Sequence, residues 1–157
     1  MEKKELLMNA WDNAYDKEGW YSPLKDALRE VSAREASWKS PGKSSHSIWE
    51  LVNHLLFYKE RFLTYLKGKE FNSSITTNDE TFLVLNTAPE YWETVLHQMK
   101  AVHHEIRKKI SIMTDDELNQ VLPKISVDSQ LMDLITHDAY HTGQIIFIRK
   151  LYGSWPI

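Results

Sequence analysis

His137 and His141 lie four residues apart in the stretch His137-Asp138-Ala139-Tyr140-His141, and on a helix that spacing lets two imidazoles reach one metal ion. The 16 residues that follow, Thr142 to Ile157, contain no His, Asp, Glu or Cys. Any third protein ligand must therefore come from upstream. The His-Glu-x-x-His zinc proteases take their third ligand from beyond the second histidine, and they use a glutamate where Asp138 is one methylene short. Both differences argue against a protease. Asp138 is expected to support or pack around the histidines rather than act as a general base, its plain alternative being a solvated helix acid.

At about 100° per residue, His137 and His141 are about 40° apart on a helical wheel and share a face with Leu134, Ile145 and Ile148. Both rings are expected to point into the interior. Burying imidazole nitrogens without partners costs about 1–3 kcal/mol each. A metal ion would remove that cost, and hydrogen bonds to core tyrosines or carbonyls are the simpler alternative. The five other histidines sort by helix face. His97 and His104 fall on a polar side, and His46 stands at a helix entrance where exposure is expected. His103 shares an apolar face with Met99, Ile106 and Ile110, while His54 lies at the edge of its face beside Leu51 and Tyr58. Spacing alone leaves His54 and His103 both open as the upstream ligand.

Helices must position these side chains. Apolar residues at Leu7, Ala10, Ala14, Tyr21, Leu24, Leu28 and Val31 follow a helical spacing that Gly19 and Ser22-Pro23 interrupt. Ser22 is expected to cap a second helix with Pro23 at its first position. A turn follows at Ser40-Pro41-Gly42-Lys43. Ser47-Ile48-Trp49-Glu50 has the form of a capping box, which predicts a helix from there to about Lys67. Ile48, Leu51, Val52, Leu55, Phe62 and Leu66 would face inward, with Lys59, Glu60 and Lys67 toward water. Gly68 to Asn86 is weakly periodic, with room for a short helix and a polar linker around Asn72–Asn78. Thr87-Ala88-Pro89-Glu90 reads as another capping box, opening a helix to about Met113, and Thr114-Asp115-Asp116-Glu117 starts a short helical turn. The last helix is expected from Ser126–Asp128 to Tyr152, ended by Gly153 and Pro156. Strand-like alternation is scarce, so the fold class is all-α, with four principal helices around one core.

At 157 residues the chain fits one domain, residues 1–157. The net charge is −3, and acids offset the one tight basic cluster, Arg107-Lys108-Lys109, so nucleic acid is not an expected partner. The absence of cysteine excludes disulfides, thiolate ligands and a protein thiol nucleophile, and it fits a reducing cytoplasm. Thiol chemistry would need a thiol cosubstrate. The start, Met1 to Met8, has no long apolar run, and no stretch elsewhere reaches the length of a membrane span. A soluble, cytoplasmic protein without a membrane partner is expected.

Ser47-Ile48-Trp49-Glu50-Leu51-Val52-Asn53-His54-Leu55, followed far downstream by His137-Asp138-Ala139-Tyr140-His141-Thr142-Gly143-Gln144-Ile145, resembles the paired signature of the DinB/YfiT-like metal-dependent enzymes. The resemblance spans nearly the whole chain. It implies that His54 joins His137 and His141 around one divalent ion, zinc or nickel, and it includes Gly143-Gln144 after the second histidine. It further implies a four-helix bundle of up-down-down-up topology, compatible with the long Gly68–Asn86 connection, and a homodimer. His103 would then be a core or supporting residue.

Three neutral nitrogen ligands leave a divalent ion with an open position, the catalytic rather than the structural arrangement. Such an ion lowers the pKa of a bound water or of a bound thiol. The resemblance favours the thiol, because relatives include transferases and isomerases that use low-molecular-weight thiols such as bacillithiol or mycothiol. The expected function is a metal-dependent thiol S-transferase acting on a small electrophile, with no catalytic residue assigned beyond the ligands. A metal-dependent hydrolase and a non-catalytic, stress-related metal or small-molecule binding protein are the alternatives. Trp11, Tyr15, Trp49, Tyr58 and Tyr140 could line a pocket, although aromatics in a helical protein are more often core packing. Arg149 and Lys150 could bind an anionic group, although their position near a helix C-terminus accounts for them without function. Trp155 is expected to cover one end of the bundle.

Overall fold

The computed structural model describes residues 2–42 and 44–156 and is all-helical. Met1, Lys43 and Ile157 lie outside the described residues, so the turn expected at Ser40 to Lys43 is described only as far as Gly42. In chain order the elements are α1 (Lys3–Tyr15), α2 (Leu24–Ala27), α3 (Ala33–Ala36), α4 (Ile48–Leu66), a 3₁₀ turn (Asp79–Phe82), α5 (Pro89–Ile112), α6 (Asp115–Asn119) and α7 (Val127–Tyr152). Among the described residues there is no strand, only an isolated bridge between Val121 and Ser126. No described helix is long and apolar enough to cross a membrane.

Helix α4 starts at the predicted capping box. Ser47 Oγ accepts from the Glu50 N–H at 3.2 Å, and the Glu50 carboxylate accepts from the Ser47 N–H at 2.8 Å, satisfying donors that a helix start leaves free. Thr114 and Glu117 do the same for α6. Helix α7 ends as expected at Gly153, whose φ of 93° is left-handed and whose N–H bonds to the Arg149 carbonyl.

Two helix starts differ from expectation. Helix α5 is capped by Ala88 rather than Thr87, because Pro89 forces the residue before it out of the helical region, to φ −63° and ψ 143°. Pro23 likewise sits outside its helix, so α2 begins at Leu24. The single helix expected after Pro23 is also divided. Glu30 adopts a left-handed φ of 61°, and the chain restarts at Ser32, whose Oγ accepts from the Glu35 N–H.

The four longest helices close a ring in which α4 packs on α5 and α7, and α1 packs on the same two. Their apolar faces form two clusters. One gathers Leu24, Ala27, Trp49, Leu51, Trp92, Ile145 and Ile148; the other gathers Leu7, Trp11, Phe62, Ile106, Ile110, Leu118 and Leu131. A fully buried aliphatic side chain contributes about 1.5–3 kcal/mol, so each cluster holds its end of the ring firmly. Between them lies a polar seam: His54 and Lys59 on α4, His103 on α5, and Asp138, His141 and Thr142 on α7 are all buried.

Arg149 is not a surface anion binder. Its buried guanidinium donates to Glu35 Oε1 at 3.2 Å, the Ala27 carbonyl at 3.0 Å and the Ser154 carbonyl at 3.1 Å, fastening the end of α7 to α2 and α3. Trp155 is half-buried with its ring 5.4 Å from that guanidinium.

Candidate metal centre

Helix α4 carries His54, and α7 carries His137 and His141 one turn apart. Their Nε2 atoms converge: His54 Nε2 lies 2.9 Å from His137 Nε2, and His141 Nε2 lies 3.0 Å from it. The outward nitrogens settle the proton positions. His54 Nδ1 is 2.6 Å from Thr81 Oγ1, whose own proton goes to the Asn78 carbonyl at 2.5 Å. Thr81 must therefore accept, and His54 carries its proton on Nδ1. His141 Nδ1 donates to Gln144 Oε1 at 2.6 Å. In a neutral imidazole a proton on Nδ1 leaves Nε2 with a lone pair. Two lone pairs are thus aimed at a third nitrogen, which could offer a proton to only one of them. A cation fits that donor set, and neutral imidazole nitrogens are ordinary ligands of borderline divalent ions. His54, His137 and His141 form the group able to hold a metal ion among the described residues.

Burial keeps the imidazoles neutral. It pulls His54 down to about 3, with the charges of His137, His141 and His46 adding to the effect. It pulls His137 down to about 4, helped by His141 and Lys59. Burial lowers His141 too, partly opposed by its bond to Gln144. Phe82 stacks on the His54 ring at 4.0 Å and on the exposed His46 ring at 4.0 Å, so the 3₁₀ turn both orients His54 and covers it.

A cavity of about 580 Å³ opens beside these rings, lined by His54, Tyr58, Arg61, Leu134, His137 and Tyr140 among others. Tyr58 stands edge-on to His54 and His137, and its hydroxyl donates to Asn78 Oδ1 at 2.7 Å. Of the five aromatics considered from sequence, Tyr58 and Tyr140 line the cavity, while Trp11, Tyr15 and Trp49 are core. Two sides of the opening are walls of regular helix, where side chains are held more firmly than on loops.

Lys59 overturns an expectation. Expected toward water for its charge, it is fully buried, with Nζ 2.5 Å from Asp138 Oδ2 and 3.1 Å from His103 Nδ1. The ammonium also lies 4.7 Å from the Trp11 ring centroid. His103 is stacked between Trp11 and Tyr15, each at 4.3 Å, and does not join the three-histidine group. Asp138 is neither a solvated acid nor a wall of the cavity. It is completely buried, and that burial raises its carboxyl against the pull of Lys59. His97 and His104 are exposed, as expected.

Sequence reading missed Thr81, Phe82, Arg61 and the inward turn of Lys59. A signal existed for Lys59: it lies between inward-facing Leu55 and Phe62, four residues from one and three from the other. Thr81 and Phe82 had none, because a long weakly periodic connection brings them in.

The family model of the DinB superfamily matches residues 21–145, a span that includes all three converging histidines. No curated protein matches the chain.

Proposed function

This chain belongs to the DinB superfamily, and on that premise we propose a metal-dependent thiol S-transferase, with His54, His137 and His141 holding one divalent ion, zinc or nickel. One observation carries the reading: two Nε2 lone pairs, fixed by Thr81 and Gln144, converge on a third imidazole at the wall of a cavity large enough for a small molecule. When bound, the ion supplies an open position and lowers the pKa of a thiol placed there, so that a thiolate exists near neutral pH. The chain's own part is to hold and orient the reactants. The Thr81 and Gln144 bonds fix the tautomers of His54 and His141 and aim their Nε2 lone pairs, while burial keeps the imidazoles neutral. Phe62, Leu134 and Tyr140 give the electrophile an apolar bed. In the transfer, sulfur bonds to the electrophilic carbon as the bond from that carbon to its leaving group breaks, and the thiol proton departs with the leaving group. With no cysteine in the chain, no protein thiol competes for the site.

Metal analysis of protein purified without a histidine tag tests the site, together with assays of cellular thiols against model electrophiles. One ion per chain, lost in His54→Ala and in His137→Ala, is the expected result. Unchanged metal content in His54→Ala would sink the three-histidine site. Ester or amide hydrolysis without thiol turnover would make the protein a hydrolase, and a bound ion with no turnover would make it a binding protein.

The up-down-down-up order of the four long helices belongs to the same reading. Trp49 meets Trp92 and Lys67 meets Glu105, which supports parallel α4 and α5 joined by the long connection. Asp12 meets Arg107, and Lys4 reaches the Met113 carbonyl, which supports antiparallel α1 and α5. A homodimer is proposed from the family resemblance and is read by light scattering of the purified protein.

A further inference from the structure

Arg61 lies two helical turns beyond His54 on the same face of α4, with Tyr58 between them, and all three line the cavity. Seven residues of helix advance about 10.5 Å. The guanidinium lies on the Tyr58 ring, 4.6 Å from its centroid, and among the described residues it makes no ion pair. Other polar groups of the cavity are committed. The Tyr58 hydroxyl donates to Asn78, and the Gln130 amide donates to the Leu122 and Ile125 carbonyls. Asp133, an acid on the α7 wall, is exposed and does not pair with Arg61.

We propose that Arg61 binds a carboxylate on the small molecule whose other end sits at the three histidines. The inference rests on the metal-centred reading above and adds a substrate class to it: an elongated monoanion with a metal-seeking head, an apolar middle and a carboxylate tail. Phe62 and Leu134 supply the apolar stretch between the two ends. A planar guanidinium takes a carboxylate through two parallel hydrogen bonds. A single guanidinium opposed by one acid suits a monoanion; a dianionic phosphate would need more positive charge than the cavity holds.

The test is calorimetric titration of zinc-loaded protein with two probes of equal length, suberate monohydroxamate and its terminal amide. Both present the same metal-binding head, so only the tail differs. Wild type should bind the carboxylate probe about tenfold more tightly than the amide, the usual scale for a hydrogen bond to a charged group. In Arg61→Gln the ratio should fall to about one while the affinity for the amide stays unchanged. Arg61→Lys keeps the charge without the planar fork and should hold an intermediate ratio; it decides the matter where the glutamine variant fails to fold. Equal binding of the two probes by wild type, a ratio that survives in Arg61→Gln, or an unaltered ratio in Arg61→Lys overturns the proposal and leaves the metal-centred reading standing. Failure of both probes to bind wild type overturns that reading and this inference together.

Discussion

Helices α4 and α7 bring two polar groups together across one interface, and the two are built on opposite logic. His54 and His137 line a cavity, and His54 and His141 aim lone pairs at His137, so the group lacks positive charge at its centre. Lys59, five residues beyond His54 on α4, and Asp138, next to His137 on α7, are sealed behind Trp11 and Tyr15 and already hold one charge of each sign. The first group could be completed by a cation from outside, whereas the second is balanced from within. Proximity of titratable side chains therefore does not identify a working site; the sign of what is missing, and access to it, does. The sealed group keeps a deficit of its own kind. His103 Nε2, Asp138 Oδ1 and Thr142 Oγ1 have no hydrogen-bond partner among the described residues, and bridging water is the usual remedy for such atoms.

The largest effect should come from unbalancing the sealed group. Asp138→Ala strands a buried ammonium and should lower unfolding stability by about 3–5 kcal/mol, read from the denaturant midpoint. Lys59→Met combined with Asp138→Leu removes both charges and should be neutral or stabilising by about 1–4 kcal/mol. If the double change costs as much as the single one, packing rather than charge governs the seam. On the open side, Gln144→Leu takes the acceptor from His141 Nδ1 and should weaken metal binding about 10–100-fold, measured by competition with a chromophoric chelator. Its stability should hardly move.

Acid separates the two groups further. His54 and His137 titrate in the fold at about 3 and about 4, below their ordinary 6.5. Above pH 6.5 folded and unfolded chains bind the same number of protons at these sites. Below it the unfolded chain takes up protons that the fold refuses, so metal-free stability should decline from pH 6.5 toward about 3. Replacing both histidines should flatten that decline, leaving the part due to His103 and His141, which burial also lowers. An unchanged slope would place the acid sensitivity in the sealed group. The smallest effect belongs to an exposed pair. Lys67→Ala breaks the bond to Glu105 and should cost less than about 1 kcal/mol.

Much of this was legible in the chain. The Ser47 and Thr114 capping boxes and Gly153 are local signals, decided by a few neighbouring residues, and they marked helix ends correctly. His137 and His141 were legible as a pair because the helix period alone sets their separation. Joining His54 to them took the family resemblance, since helix period says nothing about which helices face each other. Lys59 was misplaced because its charge was weighed above its inward position in the helix period, and the buried partner Asp138 is a tertiary contact that no local pattern shows. The divided helix at Glu30 was missed although Ser32-Ala33-Arg34-Glu35 has the capping-box spacing. Its glutamate carboxylate turns instead to Arg149, more than a hundred residues away.

The 3₁₀ turn that delivers Thr81 and Phe82 to His54 belongs to the connection between α4 and α5, and that connection lies outside both apolar clusters except at its end. Lengthening a surface connection costs little, since doubling a loop adds only about 0.6 kcal/mol of closure entropy. The three nitrogens ride on helices that packing keeps in place, whereas the hydroxyl that sets one tautomer and the ring that covers it ride on a segment free to diverge. Evolution could therefore retune the basicity and shielding of this centre by rewriting one loop, leaving the three histidines and the helical frame untouched.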